Sequence, residues 1–240
     1  HCVSRNPRFN GARLGASEEF VDFSNNVIYN WQHNSVYGGE EGKYNMQNNY
    51  YRSGPSTSKN VAKRIVNPTL NETRGLGIFY VEGNFVDGFE DVTKNNQLGV
   101  EFDSKITAAQ KKAAIANQAF ETISIQLQHP KAAYISVLTH VGASFKRDTL
   151  DERIIQDVVQ RRGKIIDVQG GYSHGTAYEM TVSAWPNLKG GTVLLDTDQD
   201  GMPDEWEINK GLNSKVADDK LYTLSDQYTN IEIYLMSIAP

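Results

Sequence analysis

The chain has 240 residues and a mass of 26.8 kDa, enough for one large domain or two small ones. Its 29 acidic and 24 basic residues give a net charge of -5, which argues against a nucleic-acid-binding protein. The mean hydropathy is -0.52 and no run of about 18 apolar residues occurs, so the sequence predicts no membrane-spanning helix. The single cysteine, Cys2, excludes an internal disulfide.

The first half repeats a short unit of strand, asparagine-rich turn and strand at residues 21–29, 44–51 and 79–86. Such a repeat is typical of a solenoid, in which each copy stacks on the next. Stacking would bring Asn26, Asn49 and Asn84 into one hydrogen-bonded ladder at a corner, where asparagine tolerates a left-handed turn conformation. Ordinary hairpins with asparagine turns would give a similar pattern, so the repeat alone leaves both folds open.

Helical patterns begin after about residue 105. They cover residues 108–114, residues 131–141 after Pro130, an amphipathic stretch from Asp148 onward, and the apolar residues 231–238. We expect the middle helices to pack on the β structure. The pairs Gly170-Gly171 and Gly190-Gly191 indicate linkers.

Residues 196–207 read DTDQDGMPDEWE and fit the calcium-loop pattern D-x-[DN]-x-[DN]-G-x5-E at every constrained position. Hard oxygen ligands in this arrangement favour calcium. The predicted ligands are Asp196, Asp198, Asp200, the backbone carbonyl of Met202, and Glu207. A solvated acidic turn is the alternative, but it would not require the glycine and the closing glutamate in register.

Arg5 and Arg8 flank the dipeptide Asn6-Pro7. Two guanidiniums this close repel each other unless an anion lies between them, and their planar donors suit carboxylates. A polyuronate is therefore one chemically reasonable ligand, and a solvated basic turn is the alternative.

Several segments together closely resemble the pectate lyases of polysaccharide lyase family 1. They are residues 4–9, 21–31, 34–40 and 44–55. Residues 126–130, Arg147-Asp148 and the calcium loop are similar to the C-terminal extension of many bacterial members. The resemblance covers most of this chain but only the later part of the family's domain.

This resemblance implies an all-β fold, a right-handed parallel β-helix represented by its later rungs, with a C-terminal region of short helices and a calcium loop. The expected segments are 1–127 for the β-helix, 128–190 for helices that pack on it, and 191–240 for the calcium-loop tail. The resemblance also implies a bacterial enzyme that is secreted, periplasmic or on the cell surface.

The resemblance further implies calcium-assisted cleavage of α-1,4-linked polygalacturonate by β-elimination. Arg5 occupies the place of the family's base in the R-x-P-R motif and would remove the C5 proton. Arg8 is the candidate for binding a substrate carboxylate. Many members carry another substrate-binding arginine where this chain has Asn10, so Arg8 or Arg13 would take over that contact.

In the family, the catalytic calcium ligands lie on rungs before the base, which here would be upstream of His1. The resemblance therefore implies a partner half of the β-helix, on the same polypeptide or on a separate chain. It also implies two calcium roles, a structural one at residues 196–207 and a substrate-bridging one near Arg5. The alternatives are a non-catalytic β-helix that binds pectin or another uronate polymer, and a lyase acting on another uronate polymer.

Overall fold

The computed structural model describes residues 1–11, 19–123, 125–188 and 190–239. Its internal contacts divide the chain into two compact units. Unit 1 comprises His1–Val141 and Asp151–Ala184, and unit 2 comprises Gly142–Leu150 and Trp185–Pro240. The division into segments 1–127, 128–190 and 191–240, which we expected from the sequence, remains a prediction.

In its described residues, unit 1 is built on nine short strands that form three parallel sheets. Sheet A contains β1, β4 and β7, sheet B contains β2, β5 and β8, and sheet C contains β3, β6 and β9. The strands are β1 Arg8–Phe9, β2 Phe20–Ser24, β3 Val27–Tyr29, β4 Val36–Gly38, β5 Lys43–Gln47, β6 Tyr50–Arg52, β7 Val66–Pro68, β8 Ile78–Glu82 and β9 Phe85–Val86. Each turn of the chain thus adds one strand to each sheet, which is the parallel β-helix that the resemblance implied. The alternative of ordinary hairpins, which the repeat left open, is wrong, because every strand pair is parallel.

The chain continues this winding past β9, where the described residues form no further regular strand. Val100 makes a parallel bridge to Val66 of sheet A, and Ile115 makes a parallel bridge to Phe79 of sheet B. A partial fourth turn therefore covers the edge of the third.

The core of the β-helix contains a continuous aromatic stack. The rings of Phe9 and Tyr44 lie 4.7 Å apart and those of Tyr44 and Phe79 also 4.7 Å apart, both nearly parallel. Gly39, with φ +78°, passes so close to the stack that a Cβ there would lie 2.8 Å from the Phe79 ring. Glycine is thus required both by the backbone conformation and by the close approach.

One corner of the β-helix contains the predicted asparagine ladder. The side-chain amide of Asn26 donates to Asn49 Oδ1 at 2.9 Å, and that of Asn49 donates to Asn84 Oδ1 at 2.9 Å. Asn84 in turn donates to Asn96 Oδ1 at 3.0 Å, a fourth member that the sequence pattern did not predict. The ladder residues also accept from backbone amides of the neighbouring rung.

The left-handed conformation lies one residue before each of the three predicted ladder positions. Asn25 has φ 60°, Asn48 has φ 53° and Gly83 has φ 70°. The sequence argument assigned this conformation to the ladder asparagines themselves. At these three positions the residue before the ladder asparagine adopts that conformation instead.

Four α-helices follow the strands in this part of the described chain. Two are short, α1 (Glu90–Lys94) and α2 (Ala108–Ala113), and two are longer, α3 (Pro130–His140) and α4 (Thr149–Gln160). On α3, the Tyr134 ring stacks on Tyr50 with 4.4 Å between centroids. The unit 1 part of α4 is tied to sheet C because Arg52 Nε donates to the carbonyl of Val158 at 3.0 Å. Both helices thus pack on the β-helix as expected.

Unit 2 has two helices, α5 (Asp204–Lys210) and α6 (Asn230–Ile238). Helix α5 ends at Gly211, whose φ of 79° provides the left-handed C-terminal cap. A capping box between Thr229 and Glu232 begins α6, and the hydrogen bonds from Thr229 lower the pKa of the Glu232 carboxyl. None of the helices in the described ranges combines the length and the apolar character that a bilayer crossing demands.

Candidate functional site

Arg5 lies in the segment that leads into β1 and carries an exposed side chain. Its backbone is left-handed, with φ 64°. The neighbouring residue fixes this segment to the next rung, because Asn6 N donates to the Ser35 carbonyl at 3.2 Å and Asn6 Nδ2 donates to the Asn34 carbonyl at 2.9 Å. Within the described residues the Arg5 guanidinium makes no hydrogen bond or ion pair, so it is available to a ligand.

Arg8, three residues further, has a different environment. Its Nη2 donates to Glu40 Oε1 at 2.6 Å, and the side chains are only 13% and 6% exposed. Its Nη1 donates to the Asn10 carbonyl at 3.1 Å, and the guanidinium lies 5.5 Å from the centre of the Tyr37 ring. The guanidinium is thus engaged within the fold, and a substrate carboxylate would compete with Glu40 for it.

Two further positions bear on the predicted substrate contact, Arg13 and Asn10. Arg13 lies in the 12–18 segment, outside the described residues. Asn10, which stands where many family members carry arginine, is held at its backbone because its N–H donates to Glu19 Oε1 at 3.1 Å. Its side chain is far shorter than that of arginine.

The acidic centre lies in unit 2 and contains the predicted calcium loop. Oxygen atoms of Asp196, Asp198 and Asp200 lie within 4.8 Å of one another. The loop is folded around these carboxylates, since Asp196 Oδ2 accepts from Gly201 N at 3.0 Å and Asp200 Oδ1 accepts from Met202 N at 3.0 Å. Gly201 has φ 93°, so the turn requires the glycine of the motif.

Glu207, on α5, is completely buried. Both of its carboxylate oxygens and both of those of Asp198 lack a hydrogen-bond partner within the described residues. Burial, followed by the charges of Asp198, Asp200 and other carboxylates, raises the pKa of Glu207 to about 7. Buried carboxylates without partners are costly, and a divalent cation bound by oxygen ligands removes that cost.

The predicted metal-ligand set therefore fits calcium, judged by these unpartnered oxygens and by the all-oxygen donors. Asp196, Asp198 and Asp200 converge within the loop, and Glu207 lies within the same cluster of oxygens as Asp200. Met202, whose backbone carbonyl is the remaining predicted ligand, follows Gly201 in the turn, and its side chain is fully buried.

A further carboxylate at this centre was not predicted. Oxygens of Asp200, Glu207 and Asp218 lie within 4.8 Å of one another, and Asp218 is only 9% exposed. Asp218 lies beyond Glu207, the last position of the calcium-loop pattern. The sequence therefore contained no signal that Asp218 belongs to this cluster of carboxylates. In the described part of the chain, both groups of three carboxylates close enough to share an ion lie in unit 2.

The chain is similar over 99% of its length to fungal proteins, each called "Probable pectate lyase C". It is 32% identical over 252 residues to the Aspergillus fumigatus protein, 30% over 247 residues to that of Aspergillus terreus and 29% over 253 residues to that of Emericella nidulans. The chain spans about half the length of these relatives, 51%, 51% and 50% respectively. A scan against protein-family models finds no match. The fungal relatives give no support to the expected bacterial source.

Proposed function

We propose that the chain belongs to a pectate lyase family and acts as a lyase on acidic pectic polymers, which its similarity to the fungal relatives and its parallel strands support. The proposed reaction is cleavage of α-1,4-linked polygalacturonate by β-elimination. The observation that carries this proposal beyond the names of the relatives is the Arg5 guanidinium before β1, which is exposed and has no partner among the described residues.

In the proposed step, Arg5 removes the C5 proton of a galacturonate residue next to its carboxylate. The electron pair forms the C4–C5 double bond, the C4–O bond breaks, and the departing sugar oxygen takes up a proton. Free guanidinium is protonated at neutral pH, so the base function requires positive charge nearby or an alkaline medium. Arg8, three residues further, is proposed as one source of that charge, although its guanidinium is paired with Glu40 at 2.6 Å.

We propose calcium as the cofactor in two roles. Bound at the acidic centre of unit 2, it would be held by Asp196, Asp198, Asp200, the Met202 carbonyl and Glu207 and would have a structural role. Calcium bound to the substrate carboxylate would stabilise the negative charge that develops on proton removal. Its ligands are proposed to come from rungs beyond those of this chain, since the relatives are about twice as long.

The proposed localisation is outside the cell or at its surface, because a pectic polymer is too large to cross a membrane. The partners proposed are the polysaccharide itself and the remaining rungs of the β-helix, on the same polypeptide or on another chain.

The experiment follows the ultraviolet absorbance of the unsaturated product on polygalacturonate, with calcium and then with a chelator. It uses the chain together with the remaining rungs of the β-helix, because those rungs are proposed to hold the substrate-bridging calcium. We expect an absorbance rise that the chelator abolishes and that falls by about 100-fold or more in Arg5→Lys, since a positioned base contributes on that order. Arg74→Lys is the matched control, because Arg74 pairs with Glu41 at 2.8 Å, and it should retain the wild-type rate. Near-full activity of Arg5→Lys would contradict the role of Arg5.

The same assay separates the two alternative functions. A rise on another uronate polymer but not on polygalacturonate would indicate a lyase of different specificity. Retention on immobilised polygalacturonate without an absorbance rise on any uronate polymer would indicate a non-catalytic binding β-helix.

A further inference from the structure

We infer that Asp218 is an additional calcium ligand, which closes the acidic centre from outside the 196–207 loop. This inference rests on the proposed calcium site of unit 2 and adds to it a residue that the loop pattern does not contain. Asp218 lies in the connection between α5 and α6, so its participation would join that connection to the loop.

The first argument comes from the geometry of the carboxylates. Asp218 shares with Asp200 and Glu207 a cluster of oxygens within 4.8 Å, and Glu207 is fully buried with both oxygens unpartnered among the described residues. Three carboxylates this close repel one another in a buried site unless a cation lies between them. The unpartnered Glu207 side chain therefore points to an ion at the place that Asp218 also faces.

The second argument comes from how Asp218 is held. Asn230 Nδ2 donates to Asp218 Oδ1 at 3.0 Å and to the Asp218 carbonyl at 3.0 Å. The Oδ2 atom accepts no hydrogen bond from any residue in the described ranges. One oxygen is thus fixed by an amide while the other remains available to an ion, which is how neighbouring groups commonly orient metal-binding carboxylates.

The third argument concerns the stability of unit 2. Of the apolar side chains that are buried in the described chain, those of Met202 and Pro203 are the two that belong to unit 2. A unit with so small a core needs a metal or another cross-link to be stable. Asn230 is the first residue of α6, and its Oδ1 accepts from the backbone of Thr223 and Leu224. An ion bound by Asp218 would therefore stabilise the loop, the connection and the start of α6 together.

The experiment measures calcium affinity by calorimetric titration of the full chain and of the variants Asp218→Asn, Asp219→Asn and Glu207→Gln. Asp219 is the matched control, because it has the same charge and adjoins Asp218 but does not belong to the oxygen cluster. We expect the affinity of Asp218→Asn to fall by about tenfold or more and that of Asp219→Asn to stay near the wild-type value. Equal affinities of the two variants would overturn the inference.

The titration also separates this inference from the proposed site itself. If Glu207→Gln abolishes binding while Asp218→Asn binds as well as the control does, the loop site stands and the role of Asp218 is wrong. If the wild-type chain binds no calcium, both fail.

A second measurement distinguishes a lost ligand from a damaged fold. Terbium, which replaces calcium in oxygen sites, reports its bound waters through its luminescence decay in H2O and D2O. We expect Asp218→Ala to gain about one bound water relative to the wild type and Asp219→Ala to gain none, because water replaces a missing ligand. An unchanged water count in Asp218→Ala would overturn the inference.

Discussion

At the residue scale, the two arginines of the R-x-P-R motif have different environments. Arg5 presents an exposed guanidinium, whereas Arg8 forms a nearly buried ion pair with Glu40 at 2.6 Å. The motif could not reveal this pair, because Glu40 follows β4 and comes next to Arg8 only when the second rung stacks on the first. Arg8 thus supports the fold at the site, and binding of a substrate carboxylate by it remains a proposal.

Removing one member of this pair should destabilise the protein. We expect Glu40→Gln to lower the free energy of unfolding by about 3 kcal/mol, because it leaves a largely buried guanidinium without its counter-charge. Urea-induced unfolding in saturating calcium measures this change. The neighbouring Glu41→Gln is the control, since Glu41 is 40% exposed where it pairs with Arg74 and should cost about 0–1 kcal/mol. Equal effects of the two changes would contradict the structural role of the Arg8–Glu40 pair.

At the scale of elements, the ladder corner contains two kinds of asparagine with opposite requirements. Asn49 is fully buried, and its amide donates to the Phe23 carbonyl and to Asn84 while its oxygen accepts from Asn26. Asn48 is left-handed and donates to the Gln128 carbonyl at 2.9 Å at the surface. The next rung carries Gly83 at the position of Asn48, so the backbone there accepts glycine.

These differences predict unequal costs of substitution. Asn49→Ala should lower the free energy of unfolding by about 3 kcal/mol, because it leaves buried backbone and side-chain groups of two rungs unpaired. Asn48→Gly should cost about 1 kcal/mol or less, because it loses one exposed hydrogen bond and keeps the left-handed backbone. Chemical denaturation followed by circular dichroism measures both values. A larger loss in Asn48→Gly than in Asn49→Ala would show that the ladder is not the stabilising feature of this corner.

Local patterns in the sequence were sufficient for most elements of the fold. The strand–turn–strand repeat predicted the ladder Asn26, Asn49 and Asn84, and Pro130 correctly indicated the start of α3. Asn96 was missed because it follows the short helix α1 rather than a strand, so its place in the ladder depends on how the chain folds back. Asp218 was missed for the same physical reason, since its proximity to Glu207 is created by tertiary folding and not by spacing.

At the scale of the whole molecule, the two units are stabilised by different means. Unit 1 has a continuous apolar core, which includes the stacked rings of Phe9, Tyr44 and Phe79. Unit 2 instead concentrates carboxylates around a fully buried Glu207 and has many apolar side chains exposed, among them Leu195 and Leu221. Calcium should accordingly stabilise the two units unequally.

This difference predicts two responses to calcium in differential scanning calorimetry. With free calcium at about 100 times its dissociation constant, unit 2 should gain about 2.7 kcal/mol relative to the metal-free state. A chelator should therefore lower the temperature of one transition by several degrees and leave the transition of the β-helix nearly unchanged. In Glu207→Gln the chelator should have little further effect, because the site already lacks its buried ligand. A chelator that lowers both transitions equally in the absence of substrate would contradict a structural calcium role confined to unit 2, since the β-helix core contains no group of carboxylates among its described residues that could hold the ion.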